Sequence, residues 1–305
     1  MPSAEAAPGW KSSRERSTVF ALAALIWAAR VLGRSFCRLI LYPTTLYYLV
    51  AAPNAVRASR QFLTLALGRA PRLVEVARHI HVFASVVLDR VFFLLNRHGD
   101  FDLQIHRPDD VYRACYDSGR GAFLFVSHLG SFEVLRVAAT GRGSIRVLLD
   151  TQQGAVLTAL FRRVNPELAA GIIDVSRGGP GVALSVKQAL DANQRVGMMV
   201  DRAHAGEQTV TVQFFGRPAR FPAGPWMMAA ALGAPVVLAF CPFLGGKRYD
   251  AHFELFTERL VIPRERRSEG LRECVQRYAA RLEHHARRHP YNWFNFYDFW
   301  ESASS

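Results

Sequence analysis

The residues best placed to do chemistry fall in one short stretch, Phe125-Val126-Ser127-His128-Leu129-Gly130-Ser131-Phe132-Glu133. An apolar run ends at an imidazole, a glycine follows, and a carboxylate stands five residues beyond the histidine. On a continuous helix that spacing turns the two side chains ~140° apart, so they could not meet. Across a strand-to-helix turn, with the chain reversing at Gly130, Glu133 can reach His128. Such a pair makes a general base: the carboxylate fixes the ring tautomer, and the other nitrogen takes a proton from a hydroxyl. The same residues also suit a plain helix start with His128 satisfied in the core. A second carboxylate, Asp201, closes the apolar run Val196 to Val200 and precedes Arg202. It either orients an arginine or a substrate hydroxyl in the site, or forms a structural ion pair with Arg202.

Groups able to hold an oxyanion or a phosphate lie nearby in type. The backbone N–H groups of Gly130 and Ser131 would open a helix, where donors are unpaired and the dipole is positive. Arg162 and Arg163 precede Asn165-Pro166, and Arg177 adjoins Gly178-Gly179-Pro180-Gly181, a turn that could cradle a phosphate or simply join a strand to a helix. No metal is expected. Cys37, Cys115, Cys241 and Cys274 form no CxxC pair, and His79, His81, His98 and His284-His285 lack an evident acidic or cysteine partner. The cysteines read as reduced, mostly buried thiols.

Elements able to position these groups can be read from periodicity. Ala122 to Val126, Arg146 to Leu149, Gly171 to Val175 and Val196 to Val200 read as strands. Ser131 to Thr140, Gly154 to Val164 and Gly181 to Ala192 read as helices between them. Alternation of this kind implies an α/β fold with a mainly parallel or mixed central sheet flanked by helices. Residues 54 to 98 read as helical. Thr209 to Phe215 alternates with period two, Pro222 to Leu232 reads as a helix, and Pro235 to Phe240 and Ala251 to Leu260 read as strands. A basic helix from Arg266 to Arg288 leads to an aromatic tail, Tyr291 to Trp300.

The 305 residues are half hydrophobic, which excludes disorder, and the formal net charge is +13. All but three of the 38 Lys and Arg residues are arginine. Such charge suits nucleic acid, anionic lipid or an acidic carrier protein alike. No helix-turn-helix, zinc-finger or ribonucleoprotein signal accompanies the arginines, which argues against nucleic acid. Two apolar runs, Val19 to Ala29 and Leu39 to Pro53, are each shorter than the ~20 residues that span a bilayer. Between them Arg30, Arg34 and Arg38 recur every four residues. That pattern predicts a helix lying in a membrane interface with its arginines reaching toward phosphates, or else a buried helical hairpin. Residues 1–60 are therefore expected to form a membrane anchor or interfacial helices, and 61–305 a single α/β domain.

The stretch His128 to Glu133 resembles the HxxxxD/E motif of the lysophospholipid acyltransferase superfamily, in its lipid A late (secondary) acyltransferase branch. A second block is similar in the same order: Gly197 to Arg202, Val210 to Ala219, Pro222 to Pro225 and Leu232 to Val237. Likeness runs from about Phe62 to Trp300. Two departures stand out. Asp201-Arg202 replaces the usual Asp-Gln, and the tail Asn292 to Trp300 keeps the aromatics of a terminal Trp-x-His-x-Arg pattern but not its His and Arg. Some acyltransferase-like proteins of aryl-polyene and other lipid pathways look more similar in this tail.

This resemblance implies a glycerolipid acyltransferase-like fold and O-acyl transfer. The donor would be an acyl-carrier-protein or acyl-CoA thioester, and the acceptor a lipid or glycolipid hydroxyl, either lipid A-like or specific to one pathway. It implies His128 and Glu133 as the catalytic pair, no cofactor, and a place at the inner membrane with the catalytic domain on the cytoplasmic side. No G-x-S-x-G elbow argues for a serine nucleophile, so direct attack by the acceptor is expected. A catalytically inactive membrane-bound scaffold of the same fold is the other reading; an arginine-rich RNA-binding protein is a third.

Overall fold

In the computed structural model, residues 27, 29–139, 145–149, 165–176, 179–204 and 206–300 are described. The expected helix Gly154 to Val164, together with Arg162, Arg163 and Arg177, lies outside them, as does most of the run Val19 to Ala29. Strand β2 (Phe123–Gly130) occupies the middle of the sheet. Beside it run β5 (Arg195–Met199) on one side and β8 (Val236–Cys241) on the other, both parallel to it. The full order is β1 (Asp102–His106), β10 (Arg248–Thr257), β8, β2, β5, β3 (Ile145–Leu149), β4 (Ile172–Asp174), with β9 (Phe243–Gly245) paired to β10. Only the β10 contacts to β8 and β9 are antiparallel, so the sheet is mixed and mostly parallel.

A near-continuous apolar sequence makes β2 central: Phe123, Leu124, Phe125 and Val126 are all buried. Alternation sends Phe123 and Phe125 into one core and Leu124 and Val126 into another. The first core is covered by α2 (Pro53–Leu67), α7 (Pro180–Asp191), α8 (Gly224–Leu232) and α9 (Arg267–Arg288). Packed on the second are α1 (Gly33–Ala51) and α5 (Phe132–Ala139), while α3 (Leu73–Leu94) gives residues to both. Among the described residues, two single-turn helices, α4 (Asp109–Tyr112) and α6 (Pro166–Ala170), complete the α-helices, and β6 (Thr209–Phe214) and β7 (Arg217–Pro222) pair as a separate hairpin.

Periodicity misses three strands. β1 and β9 are short, and β7 carries two prolines, Pro218 and Pro222, in six partly buried residues. Pro222 therefore ends β7 instead of opening α8, which starts at Gly224. The helical stretch 54 to 98 is broken after Leu67, where Gly68 takes φ +69° and Pro71 follows.

Helix α1 corrects the expected arrangement of the N-terminal arginines. Arg34 does not reach for solvent or phosphate: it is buried and clamps Asp89 of α3 with two hydrogen bonds, at 2.7 and 2.8 Å. Tyr249 donates to the same carboxylate at 2.8 Å, and Arg34 also donates to the Gly246 carbonyl at 2.6 Å. Burial pushes the Asp89 carboxyl up despite these partners. Arg38 rests over the Phe243 ring and donates to the Gly246 carbonyl. The spacing of Arg34, Cys37, Leu41 and Thr45 turns one stripe of α1 inward. The opposite stripe is apolar and exposed, with Phe36, Leu39, Ile40, Leu46, Tyr47 and Val50 on it. Among the described residues, no helix is long and apolar enough to cross a membrane.

Candidate active site

Two neighbouring parallel strands bring the central pair together. Val126 of β2 is level with Met199 of β5, and the Val200 N–H donates to the Val126 carbonyl at 3.0 Å. Two residues farther along each chain stand His128 and Asp201, so the register alone puts them side by side at the carboxyl ends of the strands. That is where sites form in open α/β sheets. Asp201 Oδ1 lies 2.8 Å from His128 Nδ1, and Asp201 Oδ2 accepts the His128 backbone N–H at 3.0 Å and the Trp293 indole N–H at 3.0 Å.

Asp201 is fully buried, which taken alone raises a carboxyl pKa. The His128 charge and hydrogen bonds, with Arg202 close by, outweigh burial and hold this one far below the usual carboxylate range. An ionised carboxylate can only accept, so Nδ1 must carry the ring proton, and the neutral imidazole keeps its lone pair on Nε2. His128 is part-exposed and lines a cavity of about 230 Å³. Phe83, Val87, Phe132, Phe294 and Met199 make its apolar wall; Arg90 and Arg202 are its cations.

Glu133 does not take the place expected for it. Helix α5 begins at Phe132, and its first turn directs Glu133 toward α3, where Oε1 lies 2.6 Å from Arg90 Nε. Among the described residues, its buried Oε2 has no hydrogen-bond partner. The carboxylate that holds the imidazole is Asp201, and among the described residues Asp201 is ion-paired with His128 and not with Arg202. Glu133 enters the same site one step away, by holding a cationic wall residue.

The expected backbone oxyanion donors are also committed elsewhere. Gly130 N–H donates to the Asn292 carbonyl at 2.9 Å, and Ser131 N–H to the Cys241 carbonyl at 2.9 Å. Ser131 is held by β8 and Gly130 by the C-terminal tail, which crosses the end of β2: Leu129 bridges Trp293, and Phe294 N–H donates to the His128 carbonyl at 2.9 Å. Gly130 lies so close to β8 that a Cβ there would sit 1.7 Å from the Cys241 oxygen, and its φ is +72°. Glycine is therefore required. With those donors engaged, the guanidinium groups are the cationic donors facing the cavity. Arg202 donates to the Phe294 carbonyl and stacks on the Tyr297 ring at 5.3 Å, while its buried Nε has no partner among the described residues.

The aromatics of the tail suit either an interfacial belt or a lid over the core. Trp293, Phe299 and Trp300 are buried in the core, and Trp293 is a direct support of Asp201. Behind it, buried His79 holds the Trp293 carbonyl at 3.0 Å and Ser59 at 2.8 Å, and burial drives its pKa down to about 4. His81 meets Thr45, and His285 does have an acidic partner, Glu254, at 2.7 Å. All four cysteines are free and buried.

The chain matches the family model described as bacterial lipid A biosynthesis acyltransferase over residues 103–302, a span that contains His128, Glu133, Asp201, Arg202 and the tail. No curated protein matches the chain closely enough to count as a relative.

Proposed function

The chain belongs to the bacterial lipid A biosynthesis acyltransferase family and is an acyltransferase; from that premise we propose that His128 is the general base for direct acyl transfer from a thioester to a lipid hydroxyl. The observation that carries this reading is the buried Asp201 carboxylate on Nδ1, which leaves Nε2 as the proton acceptor beside a mainly apolar cleft. The acceptor oxygen attacks the thioester carbonyl as Nε2 takes its proton. The tetrahedral intermediate then collapses, the C–S bond breaks, and the thiolate leaves with the imidazolium proton available to it. Asp201 stabilises that imidazolium. Arg202 or Arg90 supports the oxyanion, and Glu133 serves by fixing Arg90.

The donor is an acyl-carrier-protein or coenzyme A thioester, and the excess of +13 favours an acidic carrier. The acceptor is a lipid A-like or pathway-specific lipid; a guanidinium at Arg202, where the family usually carries an amide, supports an acceptor that differs from lipid A. The exposed stripe of α1 supports docking of the N-terminal region on an anionic bilayer, at the inner membrane with the catalytic domain on the cytoplasmic side. Helix α1 packs on α3, whose Phe83, Val86 and Arg90 line the cleft, so a docked stripe would bring the cleft near its lipid.

Mass spectrometry of lipids from cells with and without the protein tests the reading. One lipid should gain an acyl chain only when the protein is present, and His128→Ala should remove that species at equal protein level. An inactive scaffold of the same fold would leave the lipid profile indifferent to His128.

A further inference from the structure

Away from the cleft, the parallel pairing of β1 with β10 sets His106 level with His252 and Gln104 level with Asp250. Residues two apart on a strand share a face, so His106, His252 and Asp250 stand together at the sheet edge. The two imidazoles stack with centroids 4.6 Å apart and planes 12° from parallel. Both direct Nε2 at one carboxylate: His106 at 2.6 Å from Oδ1 and His252 at 3.0 Å from Oδ2. The three donor atoms lie within 4.8 Å of one another.

The contact at 2.6 Å is informative because Oδ1 is buried and accepts no aligned hydrogen bond. At that distance the imidazole nitrogen and the carboxylate oxygen need a proton or a cation between or beside them. We propose that His106, Asp250 and His252 bind a divalent transition-metal cation of the zinc class. Two imidazole nitrogens and one carboxylate oxygen are its ordinary ligands, and tetrahedral bonds of ~2.0–2.1 Å put ligand atoms ~3.4 Å apart, a spacing small side-chain rotations here can reach. His106 is half exposed, with 53% of its side chain accessible, which leaves room for water as the fourth ligand. The ion would tie the short edge strand β1 to β10 and takes no part in acyl transfer, since none of the three residues lines the cleft.

Full-length protein treated with chelator is titrated with Co²⁺ as a spectroscopic probe and then with Zn²⁺ in competition. One tight equivalent per chain is expected, with visible absorption of a four-coordinate site, displaced by Zn²⁺. Zn²⁺ should also raise the thermal midpoint. His106→Asn, an exposed change that leaves the fold intact, should weaken binding at least ~10-fold, as should His252→Asn. Binding by His106→Asn and His252→Asn equal to that of the unaltered protein would overturn the proposal by assigning the metal to other histidines. So would absence of a tight equivalent in the unaltered protein.

Discussion

Replacing Asp201 by Asn keeps the side-chain volume and removes the charge. Asp201 accepts three hydrogen bonds, two of them from His128. An amide offers only one oxygen, and its NH₂ cannot accept from Nδ1–H. The ring is then free to place its proton on Nε2, where a base needs a lone pair, and the imidazolium loses its buried counter-charge. General-base catalysis contributes about 10²–10⁴-fold, and the corresponding change in a Ser-His-Asp triad costs roughly 10⁴-fold, so thioester turnover should fall by about 10²–10⁴-fold. All three bonds have the charged carboxylate as acceptor and an amide keeps only part of them, so stability should drop by about 2–5 kcal/mol, measured by urea denaturation. The assay is release of the thiol from an acyl thioester, with pH profiles of kcat/KM for Asp201→Asn and Glu133→Gln side by side. Asp201→Asn should displace the acidic limb of the profile. Glu133→Gln should leave that limb in place and act through Arg90 on substrate binding. Turnover by Asp201→Asn within tenfold of the unaltered enzyme, or an acidic limb moved by Glu133→Gln alone, would refute the assignment.

Other consequences are equally open to measurement. Gly130→Ala should fail to reach the native fold or melt far lower, because its Cβ meets the Cys241 carbonyl at 1.7 Å; circular dichroism and a thermal scan read this. His79 binds a proton only below about 4, whereas an unfolded histidine does so near 6.5. The unfolded chain therefore holds the extra proton between those values, and stability is present above pH ~6.5 and declines toward pH 4, by up to about 3 kcal/mol; His79→Gln should flatten that decline in denaturation series. Arg34→Met should cost about 3–5 kcal/mol by leaving Asp89 buried and unpaired, and Asp89→Asn added to it should recover part of the loss. Leu46→Glu with Tyr47→Glu should reduce co-sedimentation with anionic vesicles while the melting temperature holds, since both residues are exposed.

Much of the framework could be read from residue patterns. The apolar runs ending at Val126 and Val200 named the two central strands, and strand-helix alternation named the fold. What sequence could not supply was the pairing of those strands. His128 and Asp201 are 73 residues apart, and only the β2–β5 register makes them neighbours; Glu133, five residues away, was the nearer candidate by chain distance alone. Strand-end position was the usable signal, because each side chain stands within two residues of the end of an apolar run. The tail was opaque for a related reason. Its aromatics suit an interface or a core equally, and the choice depends on long-range contacts of Asn292, Trp293 and Phe294 with the end of β2 and with Asp201. Arg34 was misplaced because a four-residue arginine repeat does not reveal that a buried Asp89 waits on the next packed helix.

Acyl transfer by purified His128→Ala protein bears most directly on the central claim. With a folded variant, a labelled acyl thioester and extracted membrane lipid, loss of the imidazole should slow ester formation by about 10²–10⁴-fold. Ester formation at an unchanged rate would mean that another group removes the hydroxyl proton.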